Sequence, residues 1–219
     1  MSTSTSTAEP DRSSRTPIVG VFTDGQTYRN LLYLFVRFPL GVAYFTVLVT
    51  GAALGAGLAI LLVGVLILAL TVAGATYAGS LEALLANRLL GTDIQYEPHD
   101  PTEGSLVEYA KRVLTDVRSY VLVAYMLATF PVGIALFTLV VFLLTFTLVS
   151  VLAPLTYWHP ATGYQVGDIG GGTIVIDTLP EALVLAVIGL AVGYLGIHLC
   201  NLLARAHGRV TAAILNQNR

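Results

Sequence analysis

The chain has 219 residues, of which 55% are hydrophobic and only 11% are charged, whereas about a quarter of the residues in a soluble domain are charged. Such a chain cannot cover itself with polar surface, and this excludes an ordinary soluble domain. The net charge of −2 supports neither nucleic-acid binding nor a polybasic lipid anchor. The single cysteine, Cys200, excludes an intrachain disulfide and a Cys-x-x-Cys motif.

The first 25 residues are rich in serine and threonine and show no apolar periodicity. This composition is typical of segments that cannot bury a core. We therefore expect residues 1–25 to form a disordered tail.

The first apolar run extends from Phe38 to Gly79 without a charge. As a single helix it would be about 63 Å long, about twice the thickness of a bilayer core. The run therefore predicts two spans joined by a tight turn. Two glycine groups compete for that turn, Gly55 with Gly57, and Gly64.

An internal repeat favours the second of these positions. Aligning Pro39 with Pro131 also pairs Gly41 with Gly133 and continues the match downstream through Phe, Thr and Val residues. In this register Leu62 falls on Pro154, where the second apolar run ends. The repeat thus predicts a turn near residues 63–65 and spans at 36–62 and 65–88.

The second half of the chain predicts two more spans, at about 120–152 and 181–204, joined by an outer loop over 154–180. Thr178 and Glu181 have the spacing of a capping box at the start of the fourth span. The predicted fold class is an all-α membrane protein with four transmembrane helices, arranged as two tandem helical hairpins of the same orientation. The membrane domain covers 26–208, followed by a short tail over 209–219.

The distribution of basic residues predicts the orientation. Neither the predicted turn nor the outer loop contains one, and basic residues near spans remain cytoplasmic. We therefore expect a multi-pass protein of the plasma membrane with both termini in the cytoplasm. The eleven basic residues lie before the first span, between the second and third, and after the fourth: Arg12, Arg15, Arg29, Arg37, Arg88, Lys111, Arg112, Arg118, Arg205, Arg209 and Arg219.

The linker between the second and third spans predicts one short helix that begins with a capping box at Ser105–Glu108. Its apolar residues share one face, so we expect it to lie along the membrane surface with its basic residues toward lipid phosphates. Docking of a partner on that face is the alternative.

The outer loop holds the first candidate residues for sensing a cue. Trp158 and Tyr164 fit an interfacial aromatic belt, or alternatively the roof of a pocket for an apolar ligand. His159 and Asp168 have oxygen and nitrogen ligand atoms, but their spacing is irregular, so we expect no metal ion and no cofactor. Gly170–Gly172 has the composition of a hairpin turn.

Inside the spans, the sequence contains few polar candidates. His198 is the titratable group placed well within a span, where helix–helix hydrogen bonding, proton sensing or ligand contact are open. Arg37 and Glu82 are expected near cytoplasmic ends, where they can snorkel to water. Small residues and prolines are expected to pack the helices closely: Pro39, Gly41, Gly51, Gly55, Pro131, Gly133, Gly189 and Gly193.

Several segments together resemble the "Putative sensor" domain family. They are Tyr28–Tyr33, Phe38–Gly41, the glycine-rich first hairpin, Arg88–Gly91, Pro131–Gly133, Ala153–Tyr157 and Ile176–Ala182. The resemblance covers residues 26–208 and implies four spans, in domains that stand ahead of histidine kinases in actinobacteria or alone in haloarchaea. It transfers no catalytic residue. Because the sequence ends at Arg219, the resemblance implies that any output passes to another protein.

The sequence thus predicts a stand-alone membrane sensor or regulatory module, not an enzyme, that detects an extracytoplasmic or membrane cue. Its expected partners are the lipid bilayer and a cytoplasmic signalling protein, a homodimer is open, and nucleic acid is not expected. The alternative is a small-solute transporter or a permease subunit. The scarcity of polar groups inside the spans and the same-sense repeat argue against transport.

Overall fold

A computed structural model describes residues 24–98, 105–159, 164–168 and 173–216; the predicted tail before residue 24 and the glycine turn at 170–172 lie outside these ranges. Helix α1 (Gly25–Gly57) and helix α2 (Val63–Leu85) are joined by a 3₁₀ turn at Ala59–Leu61. The elements that follow are a π-helical turn at Ala86–Leu90, α3 (Leu106–Thr115), α4 (Val117–Thr156), β1 (Tyr164–Asp168), β2 (Thr173–Ile176) and α5 (Leu179–Leu215).

Four of these helices are long and apolar enough to cross a membrane: Gly25–Gly57, Val63–Leu90, Val117–Thr156 and Leu179–Leu215. Large apolar side chains face outward along them, as at Val187, which is 66% exposed. Outward-facing apolar side chains on long helices fit a hydrocarbon environment and would be unfavourable in water. The fold is therefore that of an all-α, multi-pass membrane protein.

The turn between α1 and α2 lies at residues 58–62, and not near residues 63–65 where the repeat predicts it. Leu62 adopts the left-handed conformation with φ 58°, and α2 already begins at Val63. Gly64 serves a different purpose, because a Cβ atom there would lie 2.2 Å from the Ala59 backbone nitrogen. Glycine at this position allows the turn to fold against the start of α2 and does not itself supply the bend.

The centre of the bundle is the contact between α1 and α4, and its contacts come in matched pairs. A Cβ atom on Gly41 would lie 2.8 Å from the Phe130 Cα, and one on Gly133 would lie 2.6 Å from the Arg37 carbonyl oxygen. The rings pair in the same way, Phe38 with Phe137 at 4.9 Å and Phe45 with Phe130 at 4.6 Å between centroids. Each contact thus has a counterpart in which the two helices exchange roles.

At the end of the bundle that carries the turn, glycines also bring α1 close to α2 and α4 close to α5. Gly51 and Gly55 of α1 lie against Thr71 and Leu68 of α2. Such close approaches increase the van der Waals contact that drives helix association in lipid. On α4 and α5 the corresponding contacts are Gly189 with Ser150, Gly193 with Thr147, and Gly196 with Leu143.

Two smaller elements complete the structure. Strands β1 and β2 pair antiparallel, with Tyr164 opposite Ile176. Helix α3 starts at the capping box expected from sequence, in which the Ser105 and Glu108 side chains bond each other's backbone N–H groups. Tyr109 and Val113 of α3 pack against Val72 and Ala73 of α2. Helix α3 is therefore fixed to the bundle by its apolar face.

Candidate functional site

The most deeply buried charges of the described residues form one ion pair between α1 and α2. The Arg37 Nη1 donates to Glu82 Oε2 at 2.5 Å, and both residues are 0% exposed. A charge in a low-dielectric interior is tolerated when a partner of opposite charge and further hydrogen bonds compensate it. The rest of the cluster supplies those hydrogen bonds.

Tyrosines from two helices contact the pair, and Arg37 Nε is left without a hydrogen-bond partner among the described residues. Tyr44 donates to Glu82 Oε1 at 3.0 Å, and the Tyr125 hydroxyl lies 3.3 Å from Glu82 Oε2. Arg37 Nη2 donates to the Tyr33 hydroxyl, and the Arg37 guanidinium carbon lies 4.4 Å from the centre of the Tyr33 ring. Glu82 thus has donors from α1 and α4, and Arg37 is held by both hydrogen-bond and cation–π contacts.

Helix α5 joins the cluster through His207 and Thr211. His207 Nδ1 lies 3.0 Å from the Tyr33 hydroxyl, and Thr211 Oγ1 lies 2.8 Å from the Tyr125 hydroxyl. Thr211 also donates to the His207 carbonyl at 3.0 Å. Side chains from all four long helices therefore meet in one connected set of hydrogen bonds. We call Tyr33, Arg37, Tyr44, Glu82, Tyr125, His207 and Thr211 the polar cluster.

The position of the cluster along the helices is defined by the turn between α1 and α2. Arg37 and Glu82 each lie about 30 Å from that apolar turn at about 1.5 Å per residue. A bilayer core is about 30 Å thick. A core that starts at the turn would end near the ion pair, so the cluster lies at the boundary where helix ends begin to meet polar surroundings.

The sequence-based expectation that Arg37 and Glu82 snorkel to water is wrong. Helix α1 begins at Gly25, well before the predicted start of the span, and both side chains are fully buried between the helices. Two signals could have pointed to the pair: its residues lie equally far from the turn, and Tyr33 and Tyr125 occupy matching places in the repeat.

The candidates proposed from sequence lie on different elements of the fold. Trp158 is 64% exposed next to Tyr157, with 5.3 Å between ring centroids, and His159 lies at the exposed end of the same segment. Tyr164 and Asp168 are the first and last residues of β1. His198 is exposed on α5, with its ring 4.6 Å from that of Tyr194, about 28 Å along the helix from its start.

No group of three or more His, Cys, Asp or Glu side chains that could hold a metal ion occurs in the part of the chain that the structure describes.

A second set of polar contacts joins the first turns of α1 to α2 and α5. Gln26 donates to the Leu89 carbonyl at 2.8 Å, and Asn30 donates to Asn201 at 2.8 Å. The Leu89 carbonyl belongs to the π-helical turn at the end of α2. A π-helical turn leaves carbonyl groups outside the regular helical pattern, and Gln26 satisfies this one. The start of α1 is thereby connected to the end of α2 and to α5 at Asn201.

The linker after α2 is ordered by side-chain contacts. Asn87 accepts a hydrogen bond from the Ile94 N–H at 2.8 Å and donates to the Ile94 carbonyl at 2.9 Å. The Tyr96 ring lies on Gly79, where a Cβ atom would approach it to 2.8 Å. Burial raises the pKa of the Tyr96 hydroxyl to about 12, with the Asp116 carboxylate and Tyr109 adding to the effect. Tyr96 is therefore held in its neutral form.

The geometry defines a class of protein: a four-span membrane bundle whose helices meet at a buried ion pair, with no grouping typical of a catalytic centre among the cluster residues. The family model described as "Putative sensor" matches residues 33–215, which include every residue of the polar cluster. The chain belongs to this family, as the resemblance in its sequence predicted, and a sensor role in general follows from that membership. No curated protein and no solved structure matches the chain.

Proposed function

We propose that the protein is a plasma-membrane sensor that detects an extracytoplasmic or membrane-borne cue and relays it to a separate cytoplasmic protein. The observation that carries the proposal is the polar cluster, in which the Arg37–Glu82 ion pair joins α1, α2 and α4, and Tyr33 and Tyr125 connect it to His207 and Thr211 of α5. A shift in one helix would therefore change hydrogen bonds that connect it to the others. A cue that binds two arrangements of the helices unequally would therefore change the population of both.

The proposed output side is the end of the bundle at which the termini lie. The polar cluster is followed on α2 by the π-helical turn at Ala86–Leu90, and π-helical turns inside helices are frequent at functional sites. Gln26 links that turn to α1, and Asn30 links α1 to Asn201 of α5. Movement at the polar cluster would reach the end of α2 through Gln26, and the end of α5 through His207 and Thr211, which lie within the last turns before Leu215.

The relay can be tested by crosslinking in native membranes through a cysteine at Ala213, which is exposed near the end of α5. The buried Cys200 is replaced by Ala, and Ile60→Cys in the turn, 94% exposed, is the matched control at the opposite end. We expect Ala213→Cys, but not Ile60→Cys, to capture a kinase or transcriptional regulator.

Crosslinks only between copies of the chain, or none at all, would contradict the relay. Self-crosslinks would then indicate a homodimer. The remaining alternative, a small-solute transporter, predicts solute uptake into proteoliposomes that contain the purified chain and no second protein.

The conformational part of the proposal has its own test. Spin labels at Val117 and Ala213 report on the termini end of α4 and α5, and labels at Ile60 and Val187 report on the opposite end. Glu82→Gln removes the carboxylate charge with little change in shape. We expect the variant to change the distance distribution between the first pair of labels and to leave that of the second pair unaltered. Coupling through the polar cluster would be contradicted if the variant and its parent gave the same distributions at both ends.

A further inference from the structure

A groove of about 600 Å³ lies between α4 and α5 beside the polar cluster. Its walls are open to the surroundings of the bundle, since Val121 is 41% and Val210 is 52% exposed. A volume of this size is typical of sites for drug-sized molecules. The groove is lined by Val121, Ala124, Tyr125, Ala128, Thr129, Val132 and Leu136 of α4, and by Leu203, Ala206, His207, Val210 and Ile214 of α5.

The groove exists because α4 and α5 use different small residues at their two ends. Toward the outer hairpin, Gly189 and Gly193 bring the helix backbones close together. In the groove, Ala124, Ala128 and Ala206 are too short to fill the space between the same two helices. Side chains of this size leave an apolar channel along the helices.

The shape of the groove fits one hydrocarbon chain. It extends along α4 from Val121 to Leu136, which is about 22 Å at about 1.5 Å per residue. Dividing 600 Å³ by that length gives an average cross-section of about 27 Å². This is enough for one extended hydrocarbon chain.

One polar atom in the groove has no partner among the described residues. The Thr129 hydroxyl donates to the Tyr125 carbonyl at 2.9 Å, and the Tyr125 hydroxyl is held within the polar cluster. His207 uses Nδ1 for its contact with Tyr33 and with Thr211. Its Nε2 is left for a ligand in the groove.

The hydrogen bonds assign the tautomer of His207. The Tyr33 oxygen accepts from Arg37 Nη2, since a guanidinium group can only donate. We assign the Tyr33 proton to the contact with His207 Nδ1 at 3.0 Å, so that Nδ1 accepts. A neutral histidine that accepts at Nδ1 carries its proton at Nε2. The groove thus presents an N–H donor within an apolar lining.

From this geometry we propose that the groove binds a single-chain lipophilic molecule, with a carbonyl-type oxygen that accepts a hydrogen bond from His207 Nε2. The apolar walls take the chain, and His207 selects molecules with an acceptor oxygen over plain hydrocarbon. The inference rests on the proposed sensor function and names the class of its cue. Binding at His207 would act on Arg37 and Glu82 through Tyr33, by way of hydrogen bonds already present.

A tryptophan reporter makes the binding measurable. The chain has one Trp, Trp158, so Trp158→Phe gives a silent background, and Val132→Trp places a reporter in the groove wall. The probes are a brominated long-chain methyl ketone and a brominated alkane of equal length, both in detergent micelles, where bromine quenches tryptophan at contact. We expect the ketone to quench at about fivefold lower concentration than the alkane, the usual net worth of one hydrogen bond.

Three variants identify the groups responsible. His207→Phe keeps a ring but loses the donor, so the ketone and the alkane should become equal. His207→Gln places an amide N–H near the same position and should retain part of the preference. Ala128→Phe fills the groove and should remove quenching by both probes without altering His207.

Equal quenching by ketone and alkane in the reporter protein would overturn the proposal, because the groove would then hold any chain. Equally strong quenching by brominated two-chain phosphatidylcholine would overturn it in favour of bulk lipid. The result is independent of the relay. Selective quenching with no captured partner would support the groove site and contradict only the relay to a partner. A captured partner with unselective quenching would support the relay and contradict only the groove site.

Discussion

The α1–α2 pair and the α4–α5 pair use the same framework for different purposes. Tyr33 and Tyr125, one in each pair, both reach the polar cluster from matching positions, and Gly41 and Gly133 make reciprocal backbone contacts. The first pair carries the ion pair, whereas the second carries the groove. The comparison indicates that packing is shared between the two halves and that their chemistry is not.

A difference between two matching positions of the internal repeat explains much of this. In the register of the repeat, Arg37 of α1 corresponds to Thr129 of α4. Thr129 satisfies its hydroxyl within its own helix, at the Tyr125 carbonyl, as threonine commonly does. A guanidinium group cannot do so and requires a carboxylate from a second helix, which Glu82 supplies. The first pair is thus tied together by charge, and the second by packing and the neutral hydrogen bond between Tyr125 and Thr211.

The largest expected effect follows from removing one partner of the charge pair. Glu82→Ala leaves Arg37 buried without a counter-charge, and we expect the free energy of unfolding to fall by about 3–5 kcal/mol. Titration with sodium dodecyl sulfate in mixed micelles measures this quantity. Thr129→Val, at the matching position, should cost less than about 1 kcal/mol because it removes one local hydrogen bond.

The double variant Arg37→Met with Glu82→Met is the control for charge as opposed to shape. Replacing both partners by apolar groups of similar size is often close to neutral in stability. We expect it to recover most of the stability that Glu82→Ala loses. Equal losses for Glu82→Ala and Thr129→Val would contradict the assignment of charge to the first pair.

The matched glycine contacts should respond alike. Gly41→Ala and Gly133→Ala each place a Cβ atom against backbone of the facing helix, where no side chain can rotate away, so we expect losses of about 3 kcal/mol, at the upper end of ordinary overpacking. Gly74→Ala is the control, because a Cβ atom there meets nothing within 4 Å. A loss at only one of the two positions would contradict a reciprocal contact.

The matched tyrosines should respond unequally, and this sharpens the comparison. Tyr33→Phe removes a partner from both Arg37 and His207, and we expect a loss of about 2 kcal/mol for leaving buried polar groups unsatisfied. After Tyr125→Phe, Glu82 still has Arg37 and Tyr44, so about 1 kcal/mol is expected. Unfolding in mixed micelles measures both, and the reverse order would place Tyr125 at the centre of the cluster.

The sequence was sufficient for the spans and insufficient for the site, for a physical reason. Charge-free runs longer than a bilayer is thick leave few alternatives to crossing it. Hydropathy does not report where a helix ends beyond the membrane, because packing against neighbours extends helices. Helix α1 begins at Gly25 and α5 continues to Leu215, which places Arg37 and His207 inside the bundle where the sequence suggested helix ends.

The turn between α1 and α2 shows the same limit at smaller scale. Gly64 was the better candidate by the repeat, yet it packs against the Leu58 and Ala59 backbone, and the left-handed residue is Leu62. A glycine in a sequence marks close backbone approach as well as a bend, and the two are distinguished only by the fold. The cue candidates His198 and Trp158 stay predictions, since nothing has tested their role.

The smallest expected effect concerns the linker between the two pairs. The folded-state pKa of Tyr96, about 12, lies above the ordinary value of 10.0, so the unfolded chain loses this proton first as the pH rises. Stability from burying neutral Tyr96 is complete below pH 10 and is lost between pH 10 and 12. In unfolding titrations with sodium dodecyl sulfate, the midpoint should therefore fall over that pH range, and it should fall less in Tyr96→Phe. Tyr28→Phe, at a side chain that is 59% exposed, should leave the profile unchanged. Superimposable profiles for Tyr96→Phe and its parent would mean that the linker is not held on Gly79, and that the two helix pairs are joined by the polar cluster and the α1–α4 contact without its help.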